Sequence, residues 1–212
     1  MKTEILLEMD AAVVEAAQAL AVQRGISLAQ LLGEALKNLV EPKPGYDAAK
    51  ARALARLEHG YDLGRRPPHA TSCMTDRCFL DSNLLVYAHD RGSGEKHERA
   101  KDLVERLWID DTGVLSTQVL QEFYVNICRK AKRPLPAGEA TRIVRDYLSW
   151  DVVVNSGESI LQAFLVESRF QISFWDALII QAATSAGVQT LYSEDLSHNQ
   201  VYGLVRVVNP LL

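Results

Sequence analysis

From Met74 to the C-terminus the sequence predicts an α/β fold built on a mostly parallel sheet, preceded by a small α+β segment. Three observations predict it. Short apolar strand candidates, RCFL, GVLS, DVVVN, TLYS and LVRVV, recur after residue 74. Amphipathic stretches of helical period fall between them, and that alternation is what a parallel sheet covered on both faces requires. Upstream, one strand candidate is followed by helix patterns, and the stretch GYDLGRRPPHATSC, with its Gly, Pro and Ser residues, separates the two parts.

At the N-terminus TEILLEM reads as a strand. Asp10 is placed to cap a helix whose Val13, Val14, Ala17, Leu20 and Ala21 make one stripe, and Gly25 ends it. Ser27 caps a second helix with Leu28, Leu31, Leu32, Ala35, Leu36 and Leu39 on a wide apolar face, which Pro42 and Pro44 stop. One strand and two helices cannot bury such faces alone, so residues 1–41 are expected to dimerise. Residues 42–73 read as a helical tail and linker, with Ala49, Ala53, Leu54 and Leu57 on one side of a helix from Tyr46 to Glu58. In residues 74–212, GVLS leads into a helix with the stripe Val119, Leu120, Phe123, Tyr124 and Ile127. Gln118, Glu122 and Asn126 border that stripe as a polar line at helical spacing. Ser173 begins a helix whose Leu178, Ile179, Ala182, Ala183 and Ala186 point inward.

At 212 residues with 48% hydrophobic content the chain has enough apolar material for a buried core. The net charge of −4 divides unevenly, with 9 Lys+Arg against 9 Asp+Glu before Met74 and 14 against 18 from Met74 on. An acidic domain is a poor general nucleic-acid binder, so a polyanionic substrate needs a local basic patch or bound cations. Cys73, Cys78 and Cys128 have no CxxC spacing, which excludes a disulfide framework or zinc site and suits a reducing cytosol. No apolar run approaches the roughly 18 residues of a membrane span. No signal peptide opens the chain. The expectation is a cytoplasmic, soluble protein.

Ligands of open parallel sheets collect beyond the carboxyl ends of the strands. Four acids fall near that edge: Asp81 directly after RCFL, Glu122 in the helix after GVLS, Asp176 in the first turn of the Ser173 helix, and Asp195 after TLYS. Four carboxylates in one cleft repel one another and take up protons unless a cation neutralises them. Mg²⁺ and Mn²⁺ prefer such oxygens, and can lower the pKa of a bound water and stabilise a departing oxygen of a phosphodiester. Singly, each acid also has a structural role available. Asp176 completes a capping pattern with Ser173, Glu122 reads as a solvated helix residue, and Asp195 reads as a surface residue beside Glu194. Asp81 reads as a strand-end turn former, with Ser82 and Asn83 in the turn that opens the edge. His89 and His97 read as loop or helix-face residues with no nucleophile paired to them in sequence.

LDSNLLVYA with Asp81, STQVLQEFYVNICRK with Glu122, SFWDALIIQAA with Asp176 and LYSEDLSHNQ with Asp195, closing on VRVVNP, resemble the PIN-domain ribonucleases. The resemblance is specifically to VapC-type toxins of bacterial toxin–antitoxin pairs, and it runs from about Thr75 to the C-terminus. It implies a three-layer α/β/α fold, metal-dependent cleavage of RNA, and homodimers or higher homo-oligomers. It also implies that Asp81, Glu122, Asp176 and Asp195 bind one or two Mg²⁺ or Mn²⁺ ions that activate the attacking water. Asp195, rather than Glu194, occupies the acidic position after the strand in the family pattern. Beyond Glu122 the run Arg129, Lys130, Lys132 and Arg133 is a candidate contact for RNA phosphates; a solvated helix end complementing the dipole accounts for it equally.

The first part then reads as a partner of the second. Residues 1–36 resemble the ribbon-helix-helix segment of VapB-type antitoxins, and ALARLEHGYDLG resembles the antitoxin tail that lies in a toxin groove. Such a segment implies a dimer whose paired strands enter operator DNA. Here the outward positions are Glu4, Leu6 and Glu8, poor base or phosphate contacts, so plain dimerisation competes with operator binding. Arg65 and Arg66 are candidates to pair with the carboxylate cluster and compete with metal, or else to solubilise a linker beside Pro67 and Pro68. Met74-Thr75 reads as the start of a formerly separate toxin. The leading expectation is an antitoxin–toxin fusion. Two other classes stay open: a non-catalytic RNA-binding module, against which all four acids stand, and a DNA-binding autorepressor with a silent nuclease, against which the acidic strand face stands.

Overall fold

A computed structural model describes residues 10–24, 26–40, 45–58 and 77–212. The strand candidate 3–9, the segment 59–76 with Arg65 and Arg66, and Met74 lie outside the described residues. The chain divides into two compact units, Met1–Pro44 and Gly45–Leu212.

The first unit holds α1 (Ala11–Arg24) and α2 (Leu28–Val40), packed on one another. Asp10 Oδ1 accepts from Ala12 N at 2.9 Å, and Ser27 and Gln30 exchange side-chain to backbone bonds at 3.1 Å, so both helices begin at the expected caps. The expected α1 stripe is only partly covered: Ala21 is buried, whereas Val13 is exposed. Two helices offer too little surface to enclose both faces.

The second unit runs α3 (Tyr46–Glu58), β1 (Cys78–Leu80), α4 (Ser82–His89), a 3₁₀ turn (Arg91–Ser93), α5 (Glu95–Asp110), β2 (Gly113–Ser116), α6 (Thr117–Arg129), α7 (Ala137–Tyr147), β3 (Asp151–Val153), α8 (Gly157–Phe170), α9 (Phe174–Ser185), β4 (Thr190–Tyr192), β5 (Val201–Tyr202) and β6 (Val205–Val208). The six-stranded sheet has the order β3-β2-β1-β4-β6-β5. Every pairing is parallel except β5 with β6. This is the predicted mostly parallel sheet flanked by helices. The strand candidate LVRVV is β6, shorter by Leu204, which sits in a turn with Gly203 at φ 65°; the turn joins it as a hairpin to the two-residue β5, which lies outside the candidate.

β1, β2 and β4 are central, and Phe79, Leu80, Val114, Leu115 and Leu191 are fully buried among them. Toward the β3 edge the core becomes aromatic, with Trp108, Tyr147 and Trp150 in mutual contact at centroid distances of 5.1–5.6 Å. Gly113 is fixed by that cluster, because a Cβ there would stand 2.2 Å from the Trp150 ring. The helix read from sequence as part of the tail belongs to this unit. α3 buries Tyr46, Ala49, Ala53 and Leu57 against it, and the Tyr46 hydroxyl donates to Trp108 O at 2.9 Å. At its rim Lys50 donates to Ile109 O at 2.8 Å, and Arg52 and Arg56 both pair with the buried Asp146 of α7. His89 and His97, read from sequence as loop or helix-face residues, are drawn inward: His89 Nε2 meets the Tyr147 hydroxyl at 2.9 Å and His97 Nδ1 the Tyr87 carbonyl at 2.8 Å. Desolvation, with the Arg56 and His97 charges, pushes His89 down to about 3, so it is neutral packing material.

Candidate functional site

β1 ends at Leu80 and α4 starts at Ser82, which makes Asp81 the helix N-cap at the carboxyl edge of the central strand. Ser82 and Asn83, expected in a turn, are the first residues of that helix, because the Asp81 carboxylate supplies the cap. Asp81 is 3% exposed. Its Oδ1 accepts from Ser82 N at 2.6 Å, and its Oδ2 accepts from Ser193 Oγ at 2.7 Å and Asn83 Nδ2 at 3.2 Å. Burial pushes this carboxyl up to about 7, and the charges of Asp195 and Glu122 push the same way against the bonds from Ser193 and Ser82.

Those small polar residues tie Asp81 to two other acids. Asn83 Nδ2 also donates to Asp195 Oδ2 at 3.0 Å, and Ser193 Oγ accepts from Asp195 N at 3.2 Å. Ser82 Oγ donates to Glu122 Oε2 at 2.7 Å. On the other side Gln118 Nε2 donates to Glu122 Oε1 at 2.9 Å, as the polar line along α6 predicts, and to Trp175 O at 3.1 Å. Gln118 thereby fastens the first turn of α9 to Glu122. The neighbouring Glu194 is drawn elsewhere, pairing with Lys96 of α5.

Asp81, Glu122 and Asp195 are thus brought together, and Asp176 stands apart from their hydrogen-bond chain. Its Oδ2 accepts from Ser173 Oγ at 2.8 Å and its N–H donates back to that hydroxyl at 3.1 Å, the capping role available to it from sequence. It is joined to the others only through its neighbour Trp175. The basic residues Arg129, Lys130, Lys132 and Arg133 are exposed at the C-terminal end of α6 and just beyond it, with Arg129 roughly 10 Å along the helix from Glu122. Asp90 anchors that end, accepting from Lys132 N at 2.8 Å and Arg133 N at 3.1 Å. Arg65 and Arg66 lie outside the described residues. Sequence reasoning missed Ser82, Asn83 and Ser193 as the residues that join the acids. Their signal was adjacency, since each stands within two residues of Asp81 or Asp195.

The donor set is all oxygen, with no thiolate or imidazole, which suits a hard cation. The side-chain oxygens of Asn83 and Gln118 are buried with no hydrogen-bond donor, acceptors that a cation among these acids would satisfy. Among the described residues no three His, Cys, Asp or Glu side chains close on one point, and the acids meet pairwise through hydroxyls and an amide. Mg²⁺ usually takes one or two carboxylates and keeps several waters, and the residues fit that hydrated mode.

A family model described as the PIN domain matches residues 78–204. The chain belongs to the PIN-domain family. Solved structures similar to this PIN domain include VapC20 of Mycobacterium tuberculosis, a sarcin–ricin-loop-cleaving toxin, at 23% identity over 54% of this chain and 86% of that one, TM-score 0.42. A toxin–antitoxin complex from Klebsiella pneumoniae matches at 18% identity over 63% and 97%, TM-score 0.44. VapBC2 of Rickettsia felis bound to a promoter DNA fragment matches at 16% identity over 61% and 96%, TM-score 0.43. No curated protein matches the chain. Within the PIN domain the matched span contains all four predicted acids, while α3 lies ahead of it. No described helix is long and apolar enough to cross a membrane.

Proposed function

We propose that the chain is a divalent-metal-dependent endoribonuclease of a toxin–antitoxin system, cytoplasmic, with its antitoxin-like inhibitory segment in the same polypeptide. The observation that carries the reading is Asp81, a buried carboxyl at the central strand end, bridged by Ser82, Asn83 and Ser193 to Glu122 and Asp195. A structural acid needs no such company, and leaving a buried carboxylate beside two others is costly without a cation.

Asp81, Glu122 and Asp195, with Asp176 from the first turn of α9, would hold Mg²⁺ or Mn²⁺. When bound, the ion supplies Lewis acidity and lowers the pKa of a coordinated water. The chain's own residues do the rest. Asn83 and Ser193 hold Asp81 and Asp195 in register, Ser82 and Gln118 orient both oxygens of Glu122, and the buried floor under Asp81 keeps the local dielectric low. Arg129, Lys130, Lys132 and Arg133 would meet RNA phosphates away from the one held among the acids. The exposed Val13 and Leu36 of the first unit support its pairing with a second copy. The antitoxin-like part would act through α3, seated on the PIN unit, and through Arg65 and Arg66, whose guanidinium groups suit carboxylates and would displace the cation.

The test is cleavage of structured RNAs by the full chain and its Asp81→Asn variant, with Mg²⁺ or Mn²⁺ and with chelator. Metal-dependent cleavage that falls at least about a hundredfold in the variant is the expected result. Cleavage that survives both the variant and the chelator defeats the proposal.

A further inference from the structure

Trp175 is unlike the other two tryptophans of the chain. Trp108 and Trp150 are 0% and 3% exposed inside the aromatic core, whereas Trp175 is 61% exposed on the first turn of α9. A large apolar ring held in water is the informative exception, because its burial would be favourable wherever a surface could cover it. Its backbone is fixed: Gln118 Nε2 donates to Trp175 O at 3.1 Å and to Glu122 Oε1 at 2.9 Å, so two hydrogen bonds separate the residue from the acid cluster. Its ring is supported as well, with Phe174 at a centroid distance of 5.3 Å and Phe164 beyond it at 5.2 Å.

A nuclease that places one phosphodiester among carboxylates must also hold the nucleotides on either side of it. The acids repel the RNA backbone, and the exposed cations of the 129–133 run stand at the other end of α6. Beyond what a bound cation supplies, a group that charge does not oppose can add attraction next to the acids. Every base offers a face on which an aromatic ring stacks, and sequence-specific and non-specific binders of single-stranded RNA both use that contact. The geometry points to Trp175 as a stacking platform for an unpaired base next to the scissile phosphate, making it a positioning residue for single-stranded RNA. This rests on the ribonuclease reading above and assigns within it the residue that holds the neighbouring base, which must be free to leave its stack.

The test uses fluorescence, because Trp175 is the solvent-exposed indole and the other two report from the core. In the full chain carrying Asp81→Asn, a single-stranded oligoribonucleotide is titrated while its own binding is followed by anisotropy of a label on the RNA. The expected result is quenching of tryptophan emission in step with the anisotropy, absent in the Trp175→Ala, Asp81→Asn double variant. In otherwise wild-type chain, Trp175→Ala raises KM for loop-containing RNA about five- to a hundredfold with kcat little changed, and Trp175→Phe keeps most of the affinity. A fully paired duplex RNA gives no quenching. RNA binding without a change in emission, or equal KM in Trp175→Ala, overturns the inference while leaving the ribonuclease reading in place. So does emission that shifts with protein concentration and not with RNA, which would give Trp175 to contact with a second copy. Loss of metal-dependent cleavage by the wild-type chain would instead strike the ribonuclease reading itself.

Discussion

Removing the Asp146 carboxylate isolates the ionic part of the α3 seat. Asp146 is buried in α7 and accepts from Arg52 Nε at 3.0 Å and Nη2 at 2.7 Å through one oxygen, and from Arg56 Nη1 through the other. Breaking a fully buried pair from one side costs about 3–5 kcal/mol, because the partner is left buried and unpaired. Arg52 and Arg56 side chains are 53% and 26% exposed and recover water, so Asp146→Ala should cost about 2–3 kcal/mol. The loss falls on the docking of α3, whose remaining hold is the face of Tyr46, Ala49, Ala53 and Leu57 and the bonds from Tyr46 and Lys50. At about 1.4 kcal/mol per factor of ten, the opening of α3 becomes roughly 30- to 150-fold more frequent. Hydrogen exchange read by mass spectrometry on peptides from 46–58 should accelerate by that factor, while peptides from β1 and β2 change little. Unchanged protection of 46–58 in the variant refutes the reasoning. Under the proposed inhibition, metal-dependent cleavage rises in parallel. Exchange that accelerates with no rise in cleavage removes α3 from the inhibition, and the Arg65→Ala, Arg66→Ala variant then asks whether the arginines alone restrain the enzyme.

Asp81 makes the metal-free chain sensitive to pH. Its carboxyl is raised from 3.8 to about 7, so the folded protein keeps a proton that the unfolded chain has released. That contribution to stability is fully present below about pH 4 and is lost as pH rises through about 7. The Tm of the metal-free protein should therefore fall between pH 5 and 8 by an amount that Asp81→Asn flattens, and Mg²⁺ should raise Tm more at pH 8 than at pH 5, because the ion competes with a proton. A parallel pH profile in wild type and variant would show that Asp81 is not the titrating group. Gly113→Ala places a methyl 2.2 Å from the Trp150 ring, which belongs to the Trp108–Tyr147–Trp150 cluster and is 3% exposed. A loss of about 1–3 kcal/mol in chemical denaturation follows, with a change in near-ultraviolet dichroism; a neutral substitution would mean that Trp150 repacks freely.

What the sequence made legible and what it hid separate along one physical line. Alternation of strand and helix locates the carboxyl edge of a parallel sheet, and an acid immediately after a strand must sit there whatever its side chain does, so Asp81 and Asp195 were readable. Glu122 was readable because it stands one turn from Gln118, and helical spacing alone brings the two side chains together. Asp146 gave no such signal. It is an acid amid charged residues on an amphipathic helix, and only the arrival of α3 from about ninety residues upstream buries it. The hint lay in the partner: Arg52 and Arg56 are four apart, so one face of α3 carries two guanidinium groups that a single carboxylate can accept. The basic run lies one to two turns past Glu122 in sequence, which along α6 is a displacement away from the acids, so its proposed role is contact with RNA away from the cut. A helix thus joins groups one turn apart and separates those two turns apart, while the sheet gathers groups from distant segments. The joining residues follow the second rule: Ser193 touches Asp81 across a sequence gap of 112 because β1 and β4 are paired in parallel, and their ends are therefore neighbours. A substitution that shifts the β1–β4 register should disperse the acids as effectively as mutating one of them, since a slip of one residue turns every side chain to the other face.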